Sequence, residues 1–277
     1  PGRISQNKSG SRPRRIQPAR RRRRIKYVGP ERGIRGRQPA SHCTEQAVLQ
    51  KWTIRFSVAG DARFLSHHDS LRVVERLCAR GKIRLKHSQG FNPHPVFSIA
   101  LPRPVGVASQ CEVVTISLDE PMTSQALLES MNASAPAGMR FVSAAEIDHK
   151  PSRPLKASYE IEVDAAAVEP MLSKLRSQDQ WIVQRQRSSG KNGQFTPRPI
   201  DLLPLVDHIE LTGKVLKFTL VRQGDAWARP GEVLELLGLD GRVDLARLAR
   251  TNIEFESCSD IPAPAPCGTN DAPGLSP

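Results

Sequence analysis

Between Trp52 and Phe255 the apolar residues switch period repeatedly, from two to about 3.6 and back, which writes an α+β body. Trp52, Ile54, Phe56 and Val58 alternate as a half-buried strand. Leu71, Val74, Leu77 and Cys78 then recur at helical spacing, with Arg72, Glu75, Arg76 and Arg80 left for the surface. Ser66 and Asp69 have the spacing of a capping box before that helix, and Gly81 follows it as a stop. Ile83 and Leu85 predict a short strand, Phe97, Ile99 and Leu101 another, and Val114, Ile116 and Leu118 a third. A helix over 123–133 and a strand over 139–145 complete the order β-α-β-β-β-α-β, a ferredoxin-like unit with one added strand.

After the linker KPSRP at 150–154 the same order is expected again. Tyr159, Ile161 and Val163 alternate; Val168, Met171, Leu172 and Leu175 are helical; Trp181 and Val183 are a strand, followed by a polar loop over 187–199. Ile209 and Leu211 face Leu216, Phe218 and Leu220 across Thr212-Gly213-Lys214 as a hairpin. Pro230 opens a helix that Gly238 ends, and Ile253 and Phe255 close the sheet. The expected domains are therefore one ferredoxin-like unit over 51–149 and a second over 155–257, in tandem.

The flanks read differently. Residues 1–39 hold fourteen Lys/Arg against the single acid Glu31, a surplus that equals the net charge of +13 of the whole chain. Residues 40–277 hold 27 of each sign, so a neutral body carries a basic arm. The composition predicts that 1–50 is disordered, and that the Pro- and Ala-rich tail over 258–277 is too. Arg20, Arg21, Arg22, Arg23, Arg24 and Lys26 suit nucleic-acid phosphates, while the arm, with no Leu, Phe or Trp, lacks the anchors that suit a membrane surface. No apolar run approaches the ~18 residues of a spanning helix, and no apolar core follows the basic run as in a secretory signal. The five cysteines (Cys43, Cys78, Cys111, Cys258 and Cys267) form no C-x-x-C pair, so neither a zinc ribbon nor an iron–sulfur cradle is written, and isolated thiols suit a reducing cytoplasm.

The densest polar residues lie at the entry of the first helix (Arg63, Ser66, His67, His68, Asp69) and in SQGFNPHP (Ser88, Gln89, Gly90, Asn92, His94) with His87 before it. If both loops gather at one end of the sheet they line one pocket, with free N–H groups of the helix start offered to an anionic or hydrogen-bonding ligand. His67, Asp69 and His94 are the candidate acid–base groups of a stand-alone enzyme. The plainer reading makes Ser66 and Asp69 caps, Gly90, Asn92 and Pro93 turn formers, and Phe91 a core anchor. His67 and His68 are adjacent and point ~100° apart on a helix, so they do not share a metal, and no metal site is expected.

RFLSHHDSLRVVERLCARGKI at 63–83, HSQGFNPHPVFSIALPRPVGV at 87–107 and Glu112-Val113 resemble the radical SAM-linked protein family, a domain of unknown function (2344). RPGEVLELLGL at 229–239 and LARLARTNIEF at 245–255 are family-like pieces in the second half. The matching positions are Ser66, His67, Asp69, Arg76, Ser88, Gln89, Gly90, Phe91, Asn92, Pro93, His94 and Pro95, whereas His68 stands where the family usually has Leu and His87 where it usually has Tyr. Family domains occur alone or joined behind radical SAM enzymes with a cobalamin-binding-like region, and commonly lie near genes for an RNase E/G-type ribonuclease. The resemblance implies an accessory domain that works with a radical SAM partner, binding or presenting an RNA- or ribosome-related substrate. It implies that this chain holds no cofactor, the iron–sulfur cluster, S-adenosylmethionine and cobalamin belonging to the partner. An RNA-binding module without a catalytic partner is the alternative, through the arm rather than the sheet face, since Trp52, Phe56, Phe97 and Phe218 are needed as core.

Overall fold

The computed structural model describes residues 50–189, 194–257 and 261; the basic arm, with Arg20 to Arg24 and Lys26, and the tail lie outside the described residues. The first half runs β1 (Gln50–Val58), α1 (His67–Arg80), β2 (Phe97–Ile99), β3 (Ala108–Leu118), α2 (Ser124–Ser134) and β4 (Met139–Ile147). The second runs β5 (Pro154–Glu162), α3 (Ala165–Arg176), β6 (Ile182–Ser189), β7 (Gln194–Asp201), β8 (Val206–Thr212), β9 (Val215–Val221), α4 (Pro230–Leu236) and β10 (Ala249–Phe255).

One sheet of eight strands joins the halves in the order β4-β1-β3-β10-β5-β9-β8, with β2 on β3. Within each half every pairing is antiparallel, and the two orders, β4-β1-β3-β2 and β10-β5-β9-β8, follow the same rule. The seam is the exception: Ala249 and Arg250 run parallel to Ala108 and Ser109. β2 sits farther along the same edge of β3, against Val114–Ile116. Each half has its own core. Trp52, Ile54 and Phe56 pack with Val74, Leu77 and Cys78 of α1 and Leu127 and Met131 of α2, while Tyr159, Ile161 and Phe218 pack with Val168 and Leu172 of α3 and Val233 and Leu234 of α4.

Two expected details differ. Ile83 and Leu85 are buried, but that segment makes only the single bridge Leu85↔Leu118, because Lys82 turns the chain through the left-handed region (φ 56°) just before it. The expected strand at Trp181–Val183 forms as β6, yet β6 leaves the main sheet and pairs with β7 as a separate ribbon, so part of the expected polar loop over 187–199 is strand. Pro197 and Pro199 lie in β7, and a strand with two prolines is restricted to such an edge position.

Tight turns fix the first half. Gly138 (φ 84°) precedes β4, its carbonyl accepting from the Ala59 N–H at 2.7 Å, and a Cβ there would lie 2.3 Å from the Ala59 carbonyl oxygen.

Candidate functional site

Ser66 has the extended backbone of an N-cap, and its hydroxyl both accepts from the Asp69 N–H (3.2 Å) and donates to the Asp69 carboxylate (2.6 Å). That hydroxyl chiefly holds the Asp69 carboxyl below the usual range; burial opposes it, and Arg72 at 3.3 Å adds to it. Asp69 is therefore an ionised cap partner. Replacing Ser66 by Ala should cost about 1 kcal/mol in a denaturant melt, with Ser66→Thr recovering most of it; an unchanged midpoint would remove the cap from the account.

His67 is half-buried against Phe56, Val58, Arg103 and Glu112. Burial pushes its imidazole below the ordinary histidine value, His68 pushes the same way, and Glu112 opposes them. The His67 and His68 rings meet edge to face with centroids 5.9 Å apart. Arg63 stacks its guanidinium 5.0 Å over the Phe64 ring, and its carbonyl accepts from Arg103.

SQGFNPHP folds back on itself. The Ser88 N–H donates to the His94 carbonyl (2.8 Å), the His94 N–H donates to the Ser88 hydroxyl (3.0 Å), and His87 bridges to Pro95. Both limbs are tied to β3, the Lys86 N–H donating to the Ser117 carbonyl and the Ser117 N–H to the Val96 carbonyl. Beyond those ties Gln89, Gly90, Phe91, Asn92 and Pro93 are all exposed. Phe91 is no core anchor: its ring is wholly in solvent, because the hairpin closes with its own bonds and leaves no apolar layer under the tip.

The helix entry and this hairpin do not share a pocket through direct contact. Among the described residues no hydrogen bond or ion pair joins 63–69 to 87–94. His67 lies by Glu112, whereas the hairpin root is bonded to Ser117, about 17 Å along the strand. On α1, His87 and Pro95 lie beside Cys78 and Ala79, about 18 Å along the axis from His67. His67 and His94 thus belong to two places. Arg76, on the exposed side of α1, belongs with the hairpin end.

A buried polar cluster at the seam has no counterpart in the sequence reading. Arg250 and Glu112, with side-chain exposures of 1% and 3%, pair at 2.9 Å. Arg250 also donates to the Tyr159 hydroxyl (3.2 Å) and to the carbonyls of Leu101 and Pro102. Burial works against its charge, but Glu112 and Tyr159 outweigh burial and hold the guanidinium protonated. Arg103 donates to the carbonyls of Arg63 (2.6 Å) and Val107 (2.5 Å), clamping the turn before α1 to the loop before β3. The one signal available beforehand was Glu112 itself, the single charged residue of β3. Nearby, burial pushes the thiol of Cys111 up to about 11 and that of Cys78 up to about 12, so both are packing groups rather than nucleophiles. Among the described residues no group of three His, Cys, Asp or Glu is placed to hold a metal, and no helix is long and apolar enough to cross a membrane.

The first half is antiparallel and carries the SQGFNPHP hairpin, and it is joined to a second half of like strand order. Residues 51–230, well over half of the chain, match the family model described as an uncharacterised protein conserved in bacteria (DUF2344), and the chain belongs to that family. The match takes in α1, the hairpin and Glu112, and ends before Arg250. No curated protein matches the chain.

Proposed function

We propose that this chain is an accessory domain that presents an RNA- or ribosome-related substrate to a radical SAM enzyme, with the cluster, S-adenosylmethionine and cobalamin held by that partner. The observation that carries the reading is the SQGFNPHP hairpin: it is the segment most specific to the family resemblance, and it projects its tip into solvent with Phe91 fully exposed. A tip that turns the residues of the resemblance outward offers them to a partner or substrate, whereas a catalytic loop encloses its substrate. The β4-β1-β3-β2 and β10-β5-β9-β8 orders support reading the halves as two ferredoxin-like units in tandem. The distance between the His67 and hairpin ends of α1 argues against one acid–base pair of His67 and His94. The buried thiols Cys78 and Cys111 suit a reducing cytoplasm.

The test is association and stimulation. Purified full chain should co-elute with a radical SAM protein of the same organism and raise that enzyme's turnover on its RNA-containing substrate. Neither co-elution nor stimulation, with a partner shown to hold its cluster, would overturn the reading.

A further inference from the structure

The body is neutral in sum but not in layout. Residues 72–86 hold Arg72, Arg76, Arg80, Lys82, Arg84 and Lys86 against the single acid Glu75, so the remainder of the body carries the compensating negative charge. All six basic residues except the half-buried Lys86 are exposed. Arg72, Arg76 and Arg80 recur every fourth residue, one row along α1 with a rise of about 6 Å per step. The row leads to the end of α1 where the hairpin root lies, and there Phe91 stands free.

Each feature alone has an ordinary account. Arg80 complements the helix C-terminus, Arg72 pairs with Asp69 at 3.3 Å, Arg84 pairs with Glu120 at 3.1 Å, and one exposed aromatic is common on surfaces. These accounts do not explain the segregation. Among the described residues Arg76, Arg80, Lys82 and Lys86 have no carboxylate partner, and the two surface pairs are worth so little that a phosphate displaces either acid. Asp119 and Glu120 flank the Arg84 side, which leaves the α1 row as the path for an anionic chain. A cationic track ending at a free aromatic face is how proteins hold single-stranded nucleic acid, phosphates along the track and a base on the ring. A duplex keeps its base faces stacked and gives Phe91 nothing to cover.

We infer that α1 and the SQGFNPHP hairpin form a binding surface for single-stranded RNA, with Arg72, Arg76 and Arg80 along the phosphates and Phe91 stacked on a base. The inference rests on the RNA reading of the substrate above and moves the specific contact from the arm onto the body. The experiment uses the full chain with Arg20 to Arg24 all changed to Gln, so that the arm does not mask the body, and an oligouridylate as the probe across a salt series. Phe91→Ala should weaken binding roughly tenfold, the scale of one lost base stack. The pair Arg76→Glu and Arg80→Glu should weaken it further and flatten the log–log salt slope by about 1.4, two phosphate contacts on a single strand. Photocrosslinks should map to 84–96. All three residues are exposed, so both variants should stay folded, the charge reversals lowering the melting temperature only by the few degrees that carboxylates at the C-terminal end of α1 cost, and far-ultraviolet dichroism checks that the helix content holds. Unchanged affinity and slope in both variants, or crosslinks confined to 1–50, would overturn the surface. So would Phe91→Ala releasing the radical SAM partner while RNA affinity holds, which gives the hairpin to a protein. Because RNA binding is measured without the partner, its failure beside intact co-elution sinks this surface and leaves the accessory role standing.

Discussion

Glu112→Ala should be strongly damaging, lowering stability by about 3–5 kcal/mol. The substitution removes the carboxylate and leaves the Arg250 guanidinium charged, buried and facing no carboxylate. Its remaining partners, the Tyr159 hydroxyl and the Leu101 and Pro102 carbonyls, supply dipoles and no countercharge. Thermal unfolding should fall by on the order of 10 °C for a body of this size. The companion measurement is the double variant Glu112→Leu with Arg250→Met. Replacing both charges by apolar groups of similar volume removes the desolvation penalty along with the attraction, so the double should be markedly more stable than Glu112→Ala. A Glu112→Ala protein that melts like the wild type, or a double variant no better than the single, would show that the pair is not what holds the seam.

Gly138→Ala comes next, at about 2–5 kcal/mol, the sum of left-handed strain and overpacking. Gly138 has φ 84°, where an L side chain is strained, and its added Cβ meets the Ala59 carbonyl oxygen at 2.3 Å. That atom is backbone and cannot swing aside. The Ala59 N–H bond to the Gly138 carbonyl ties the end of β1 to the start of β4, so relief of the clash must pull apart these two strands. Denaturant midpoints of Gly138→Ala and of Gly60→Ala make the comparison. Gly60 also has positive φ (53°) but has open space around its missing Cβ, so it should lose only the strain. Equal losses at the two glycines would mean that the close approach contributes nothing.

Local structure was legible in this sequence wherever one face was apolar and the other polar. Trp52 to Val58 alternate as β1, and the α1 stripe runs between the cap Ser66 and the stop Gly81 as its spacing predicts. What sequence could not supply was the order of strands across the sheet. Ile253 and Phe255 announce a strand, but nothing local says that it lies between β3 and β5. β7 was hidden for another reason: QFTPRPID has no run of alternating apolar residues, and Pro197 and Pro199 are strand-breakers everywhere except at such an edge. At the candidate site, the Ser66–Asp69 cap was visible because capping is local. Phe91 was misplaced because an aromatic residue between turn formers reads as an anchor unless one knows that nothing lies beneath it. The basic row on α1 was obscured by summing charge over the whole body, where its surplus is balanced elsewhere.

The seam has a consequence for how the chain acquires its fold during synthesis. A ribosome delivers Glu112 long before Arg250, 138 positions further along, and β3 emerges with part of its edge and its carboxylate waiting. β5 waits likewise, since β10 is one of its two neighbours. The first half can assemble its antiparallel strands as they appear, yet an unfinished chain offers open backbone edges and an unmatched negative charge at its centre. Delivery of β10 closes both edges and neutralises that charge in a single event, so a prematurely ended or clipped chain advertises its incompleteness to the machinery that removes faulty proteins.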